Sequence, residues 1–271
     1  MRCTRIRTCA WFFLLARLSS GLGDRGRYAI EESKMQKRTI DGIPGLFVFN
    51  DYFTALQCDT LTQKTLDLHL RLEEAATLQS PKMATIPQPE FVRSEQHNLQ
   101  TEEYYARVEL PRAASSGTLR CEYFPRYGEE GHSLGYIRGN SNIPDFIAGD
   151  VLTSVRNTID DLGLADSEQK LTWKLTLNFY KNIGGTIAGF PFHVDIPANG
   201  IVTMILNVQR EALFQIAKRE VSEDIVLPVG ALLILSGESR YEWKHRVLPT
   251  EGVKPLSPNI VDRVSLVLGF Q

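Results

Sequence analysis

Apolar positions follow two rhythms along the chain. From Leu171 onward, short segments alternate strongly: LTWKLTLNFY, IVTMILNV, ALFQIA, VLPVGALLILSG and RVSLVLGF, separated by Gly, Pro and charged turns. A period of two marks strands with one face buried. Before Leu171 the rhythm is helical. DGIPGLFVFNDYFTALQCDTLTQKTLDLHL opens on an apolar strand, Leu46 to Phe49, and passes through a polar turn into an amphipathic helix carrying Leu56, Leu61, Leu66, Leu68 and Leu70. NIPDFIAGDVLTSVRNTIDDLGL predicts another helix, with Ile147, Val151, Val155 and Ile159 spaced by four. Helices followed by an uninterrupted run of strands predict an α+β, mostly β, helix-flanked barrel rather than an alternating βαβ chain. No internal repeat is visible. No G-x-G-x-x-G or Walker loop interrupts the strands, so nucleotide-cofactor chemistry has no support.

Two stretches depart from this pattern. Thr77 to Gln100 holds Pro81, Pro87 and Pro89 among polar residues and reads as a loop. Residues 104–140 are rich in Tyr, Arg and Gly and read as an exposed, aromatic-bearing segment.

Composition sharpens the picture. The 271 residues are 43% hydrophobic and 23% charged, which argues against disorder throughout and against a polytopic membrane protein. The formal net charge of −2 averages two unlike parts. Residues 1–40 hold nine Lys+Arg and three Asp+Glu, leaving 21 against 29 for residues 41–271. Arg2, Arg5, Arg7 and Arg17 flank an apolar run from Cys9 to Ala16. That run is too short for a membrane span, which needs about 20 residues. This N-terminal extension, 1–40, has the Arg-bearing, acid-poor character of a mitochondrial presequence; a short secretory signal or an untargeted extension are the alternatives. Without import, the expected compartment is cytoplasmic or nuclear. The folded domain is expected over 41–271, and its acidic balance weakens broad attraction to phosphate. Cys3, Cys9, Cys58 and Cys121 form no C-x-x-C pair, so a metal would be held by His and carboxylates.

The chemistry concentrates in the strand-rich half. His193 and Asp195 stand two apart in PFHVDIP, and residues i and i+2 of an extended chain project to the same face. His245, in RYEWKHRVLP, lies 52 residues later, where a barrel can return it to the same mouth. Of the other histidines, His69 falls in the amphipathic helix and His97 and His132 in polar loops. Arg263 and Ser265 share one face of the apolar strand RVSLVLGF. A guanidinium buried there needs a partner, and the nearest acid, Asp262, points to the opposite face. A ligand carboxylate would satisfy its fork. Asn178 and Tyr180 offer an amide and a phenol on one face of LNFY. Each pair is weak alone; the order N-x-Y, H-x-D, His, R-x-S is strong.

In this order the chain resembles the AlkB-like 2-oxoglutarate- and iron(II)-dependent dioxygenases, over most of residues 41–271. The resemblance is strongest in LNFYKNIGGTIAGFPFHVD, IVTMILNVQREALFQI, GALLILSGESRYEWKH and DRVSLVL. It implies a double-stranded β-helix (jelly-roll) core with N-terminal supporting helices. It implies that His193, Asp195 and His245 form a 2-His-1-carboxylate facial triad for Fe(2+), with open positions for 2-oxoglutarate and O2. Arg263 and Ser265 would hold the distal carboxylate of the co-substrate, with Asn178 and Tyr180 completing the clamp. The implied activity is that of an oxidoreductase, which hydroxylates or oxidatively demethylates a macromolecular substrate, protein or methylated nucleic acid, and releases succinate and CO2. An N-methyl group would leave as formaldehyde.

One departure stands out. Nucleic-acid demethylases that follow the motif usually carry a second Arg six residues after the first, and here that position is Gly269. Arg246 is a candidate substitute cation, or else a solvent-facing residue. Tyr123, Arg126, Tyr127, Tyr136 and Arg138 lie where the family places its nucleotide-recognition lid, although residues 91–140 hold six Arg against seven Glu. Phe190 and Phe192 are expected to wall the metal pocket, and Trp173 and Trp243 to sit in the barrel core. Two other readings accompany the dioxygenase. One is a non-catalytic AlkB-like binding module. The other is a zinc hydrolase on the same His/Asp/His site, against which the two clamp pairs argue.

Overall fold

The structure, a computed structural model, describes residues 37–78, 82–83, 104–112, 117–252 except 167, 169 and 196, and 260–271. Residues 1–36 and His97 lie outside the described residues. Strand β1 (Lys37–Thr39) pairs antiparallel with β2 (Leu46–Phe49), so the sheet begins already at Lys37. Helix α1 (Ala55–Leu78) follows, capped where Thr54 Oγ1 accepts from the Gln57 amide and Gln57 Oε1 accepts from the Thr54 amide. It buries Cys58, Leu61, Thr65, Leu68, His69 and Leu72, whereas Leu56 and Leu70 face outward. The five leucines are spaced more loosely than a strict helical stripe, so they do not share one face. The short β3 (Lys82–Met83) pairs with β4 (Tyr104–Pro111).

β4, β5 (Thr118–Phe124) and β6 (His132–Arg138) form a meander on the edge of the main sheet. This corrects the expectation of an exposed aromatic segment over 104–140. Ala106, Val108 and Leu110 alternate inward on β4, as do Leu119, Cys121 and Tyr123 on β5. The Arg and Glu residues between them pair across the outer face, Arg120 with Glu109 at 3.0 Å and Arg107 with Glu122 at 3.9 Å. The single helix expected from Ile147 to Ile159 is two, α2 (Asp145–Ala148) and α3 (Asp150–Asp161), broken at Gly149.

The remaining strands are β7 (Trp173–Ile183), β8 (Thr186–Ile187), β9 (Phe190–His193), β10 (Val202–Asn207), β11 (Ala212–Lys218), β12 (Val221–Leu227) and β13 (Leu232–Ser236). After the short helix α4 (Gly237–Tyr241) come β14 (Lys244–Val247), β15 (Thr250–Glu251) and β16 (Val261–Phe270). The large sheet runs β1-β2-β13-β10-β16-β7-β6-β5-β4-β3, with β8 and β15 at the margin of β7; the small sheet runs β12-β11-β14-β9. The chain passes back and forth between the two, and every pairing is antiparallel. This is a double-stranded β-helix, a jelly roll.

Ile205, Leu233 and Leu235 of the large sheet meet Phe214, Ile216 and Ile225 of the small one. On the other face of the large sheet, Val264, Leu266, Leu268 and Phe270 pack with residues of α1, α2 and α3. β16 is therefore covered on both sides, which explains why it reads as almost continuously apolar. Its inward face carries Arg263, Ser265, Val267 and Gly269. Trp173 and Trp243 are both core residues, as expected.

His69 is buried between α1 and the sheet, its ring 4.1 Å from that of Phe179 and its Nε2 within 3.2 Å of Ser133 Oγ and 3.1 Å of the Tyr123 hydroxyl. Burial pushes its pKa down to about 4, although Glu73 pulls the other way. An unfolded histidine titrates near about 6.5. The unfolded chain thus takes a proton that the folded chain refuses, so stability is full above about 6.5 and falls as the pH drops toward about 4. The thermal midpoint of the metal-free protein is expected to decline over that window, and His69→Gln to make the decline shallower. An unchanged slope in the variant would assign the acid lability elsewhere.

Candidate metal centre

β9 and β14 are neighbours in the small sheet, and their register sets His193 directly opposite His245. Asp195 follows His193 by two residues, as the spacing predicted. One ligand atom from each of the three can be chosen so that all lie within 4.8 Å of one another, the one such group of three or more His, Cys, Asp or Glu among the described residues. His193 Nε2 is 3.6 Å from Asp195 Oδ1, and His245 Nε2 is 3.9 Å from Asp195 Oδ2. The His193 Nδ1–H donates to the Pro191 carbonyl at 2.8 Å, which leaves the Nε2 lone pair toward the carboxylate. Phe214 stacks on His245 at 5.3 Å, and Phe190 meets His193 edge-on at 4.5 Å, so apolar rings hold both imidazoles.

The electrostatics suit a cation. Burial alone would raise the Asp195 pKa, but its neighbours His245, His193 and Arg240 together hold it well below the usual carboxylate range. Burial, and then the neighbouring His193, push His245 down to about 3. A neutral ring and an ionised carboxylate are the forms that bind metal. Asp195 Oδ2 and His245 Nδ1 are buried without a hydrogen-bond partner among the described residues. A borderline divalent ion fits this donor set.

Cross-strand register arranges the inner face of the large sheet in rows. His132, Tyr180 and Arg263 form the most buried row; Leu134, Asn178 and Ser265 the next; Tyr136, Thr176 and Val267 the third; Arg138, Lys174 and Gly269 the last. The second and third rows, with Tyr180, face His193, Asp195 and His245 across a cavity of about 90 Å³. The N-x-Y and R-x-S pairs thus meet on adjacent strands.

Arg263 is only 1% exposed. Its Nη2 donates to the Ala188 carbonyl at 3.1 Å and its guanidinium lies 3.9 Å from the Tyr180 ring centre, while Nη1 has no partner among the described residues. Asp262 does point the other way, where it pairs with Arg210 at 3.2 Å. A buried cation with an orphan N–H and no carboxylate fits an anionic ligand.

Other expected site residues fall differently. Phe190 lines the cavity, but Phe192 faces away and carries the Arg246 guanidinium 4.4 Å above its ring. Arg246 also donates to Gln215 at 2.8 Å, so it braces the outside of the small sheet and supplies no cation to the pocket. Tyr127 and Tyr136 line the cavity and Tyr123 is buried under α1, so only Arg126 and Arg138 of the expected lid are exposed. His132 is not in a polar loop: it opens β6 and is 1% exposed. At Gly269 an added Cβ would come within 1.9 Å of the Asn199 carbonyl oxygen, so no side chain fits there. Lys174 and Arg138 are the cations in that row.

Arg240 is the neighbour of Asp195 to which sequence reasoning gave no role. It sits on α4, whose start is closed by the reciprocal hydrogen bonds of Ser236 and Ser239, and its Nη1 donates to the Asp195 backbone carbonyl at 2.8 Å. Its signal in the sequence was the stretch Gly237 to Trp243, which carries part of the resemblance but gave Arg240 no role of its own. Groups that orient a ligand typically contribute about 10–100-fold to metal affinity. Arg240→Ala is therefore expected to weaken divalent-metal binding within that range, measured by anaerobic titration, while Arg240→Lys recovers part of it.

No family model matches the chain, and no curated protein does. Among solved structures it is similar to a prolyl-4-hydroxylase from Pseudomonas putida, at 14% identity over 84% of this chain and 92% of that one, with a TM-score of 0.45. It is also similar to OsALKBH1, at 13% identity over 87% of this chain and 99% of that one, again with a TM-score of 0.45.

Proposed function

We propose that this chain is an iron(II)- and 2-oxoglutarate-dependent dioxygenase of the AlkB-like type, acting on a macromolecular substrate. The observation that carries the reading is one cavity with two kinds of site. A His/Asp/His donor set stands on the small sheet, and across from it Asn178, Tyr180 and Ser265 line the same cavity, with the carboxylate-free Arg263 packed on the Tyr180 ring.

His193, Asp195 and His245 would hold the metal, with the single negative charge of Asp195 offsetting part of its own. Arg263, Ser265 and Tyr180 would bind the distal carboxylate of 2-oxoglutarate, and Asn178 would contact the same molecule from the neighbouring row. Phe190, Phe214 and Val247 line the cavity beside these groups and exclude water. Iron and 2-oxoglutarate supply the oxidation when bound: dioxygen is consumed, the co-substrate becomes succinate and CO2, and a substrate C–H becomes C–OH. If that carbon is an N-methyl, it leaves as formaldehyde. The acidic balance of residues 41–271 favours a protein substrate, or a small nucleic-acid target contacted locally at the row of Arg138 and Lys174. The N-terminal 40 residues would direct import into mitochondria, which a fusion of that segment to a fluorescent protein tests by microscopy.

The deciding experiment is metal analysis of the purified full chain, followed by succinate release from 2-oxoglutarate with iron, alone and with methylated tRNA, DNA and peptides. Iron-dependent succinate supports the reading. Stoichiometric metal without any succinate points to a binding module. Turnover with zinc and no iron points to a hydrolase. Among the described residues no helix is long and apolar enough to cross a membrane.

A further inference from the structure

The reading above gives no task to His132, although its ring touches four residues of the cavity wall. It is 1% exposed. Its ring stacks on Tyr180, centres 4.6 Å apart and planes 12° apart, and meets Phe190 edge-on at 4.9 Å. Its Nδ1 lies 2.8 Å from the Tyr127 carbonyl oxygen and its Nε2 3.1 Å from the side-chain oxygen Oδ1 of Asn178. Register places His132 and Arg263 on the two strands flanking Tyr180, both opposite that residue. The Tyr180 ring therefore has an imidazole partner from one neighbouring strand and a guanidinium partner from the other.

The proton inventory fixes the orientation of Asn178. A carbonyl oxygen only accepts, so the short contact to Tyr127 requires the proton on Nδ1. Burial lowers the His132 pKa to about 4, the Tyr127 and Asn178 hydrogen bonds oppose this, and the charges of Arg263 and His193 lower it further, so the ring is neutral. A neutral ring has one N–H, and it is already given to Tyr127. Nε2 then accepts, so Asn178, which stands with Oδ1 toward it, must turn its amide nitrogen there to donate. The two ends of an amide differ by a half-turn of its last torsion, so the hydrogen-bond network decides between them. With one amide hydrogen on His132, the second and the carbonyl oxygen remain for the cavity.

We propose that His132 is a positioning residue for the co-substrate clamp: it fixes which end of the Asn178 amide faces the cavity and holds the Tyr180 ring against Arg263. This deepens the dioxygenase reading and rests on it. No catalytic contact is assigned to His132 itself. It acts through Asn178 and Tyr180, and so on 2-oxoglutarate affinity and not on the metal.

The test uses the full chain loaded with iron under anaerobic conditions, with 2-oxoglutarate affinity measured by calorimetry and iron affinity measured separately without it. His132→Phe keeps an aromatic ring for Tyr180 but removes both hydrogen bonds. It is expected to weaken 2-oxoglutarate binding about tenfold, in line with loss of a buried hydrogen bond, and to leave iron affinity unchanged. His132→Gln, which can still accept from Asn178, is expected to recover part of the loss. In an Asn178→Ala background, His132→Phe should add little, since the path it acts through is gone. Nitrogen-15 NMR of the His132 ring, assigned by the signal lost in His132→Phe, should show Nδ1 protonated and Nε2 bare at neutral pH. Native 2-oxoglutarate affinity in His132→Phe, full additivity with Asn178→Ala, a parallel loss of iron affinity, or a His132 imidazolium at neutral pH would each overturn the inference. If the native iron-loaded chain binds no 2-oxoglutarate at all, the dioxygenase reading itself fails, and that outcome is distinct from a native chain that binds it with an indifferent His132.

Discussion

Asp195→Ala and His193→Ala are each expected to yield a folded protein that retains no stoichiometric metal and releases no succinate. The register of β9 and β14 holds the two imidazoles opposite each other whether or not Asp195 is present, so the variant keeps two neutral donors. It loses the one charged donor, the group whose ionisation burial opposes and the surrounding His245, His193 and Arg240 enforce. Two neutral imidazoles alone leave the charge of a divalent ion unbalanced in a buried pocket, a strongly unfavourable arrangement. His193→Ala removes the ring whose Nδ1–H is tied to Pro191, and with it the donor whose direction is best fixed. Anaerobic iron titration and metal content after purification measure both variants. Equal iron affinity in His193→Ala, Asp195→Ala and Arg263→Ala would mean that the ion binds elsewhere.

The strands that build this centre were legible because the physics of their faces is simple. β7, β10, β13 and β16 must bury one face against the small sheet and the other against helices or loops. Their apolar runs follow from that demand, and a lone Arg263 on such a run stands out as a cation in need of a partner. H-x-D with a distal His was legible because extended chain repeats its direction every second residue. What escaped was determined by contacts across the sequence. Ala106, Val108 and Leu110 alternate inward on β4, but their outward neighbours, Arg107 and Glu109, resemble a solvated loop until their partners on β5 are known. His132 follows the glycine- and glutamate-rich turn GEEG, so local composition assigned it to that turn, whereas pairing with Tyr180 makes it the first residue of a buried strand. Leu56 and Leu70 share a residue type with the buried stripe of α1 but not its angle. Arg240 touches Asp195 across 45 residues of chain, and no local pattern contains such a contact.

Arg263 allows a sharper separation of function from stability than any metal ligand does. Its guanidinium is withdrawn from water, with burial lowering its pKa, and it has no carboxylate among the described residues to compensate. In the free protein this arrangement is a cost, offset only by the Ala188 carbonyl and the Tyr180 ring. Arg263→Met, of similar reach and without charge, is therefore expected to leave the thermal midpoint of the free protein unchanged or raised. Arg263→Ala and Arg263→Met should both bind iron as the native chain does. Both should lose 2-oxoglutarate affinity by about 2–5 kcal/mol, roughly thirty-fold to several thousand-fold, the range for truncating one member of a buried charge pair. The succinate assay should then show a greatly raised 2-oxoglutarate requirement, with turnover recovered in part at high concentration. Arg263→Lys should fall between, because an ammonium keeps the charge but not the two parallel N–H groups. A lower midpoint in Arg263→Met together with native 2-oxoglutarate affinity would make Arg263 a structural cation, and the carboxylate clamp would have to be sought elsewhere in the cavity.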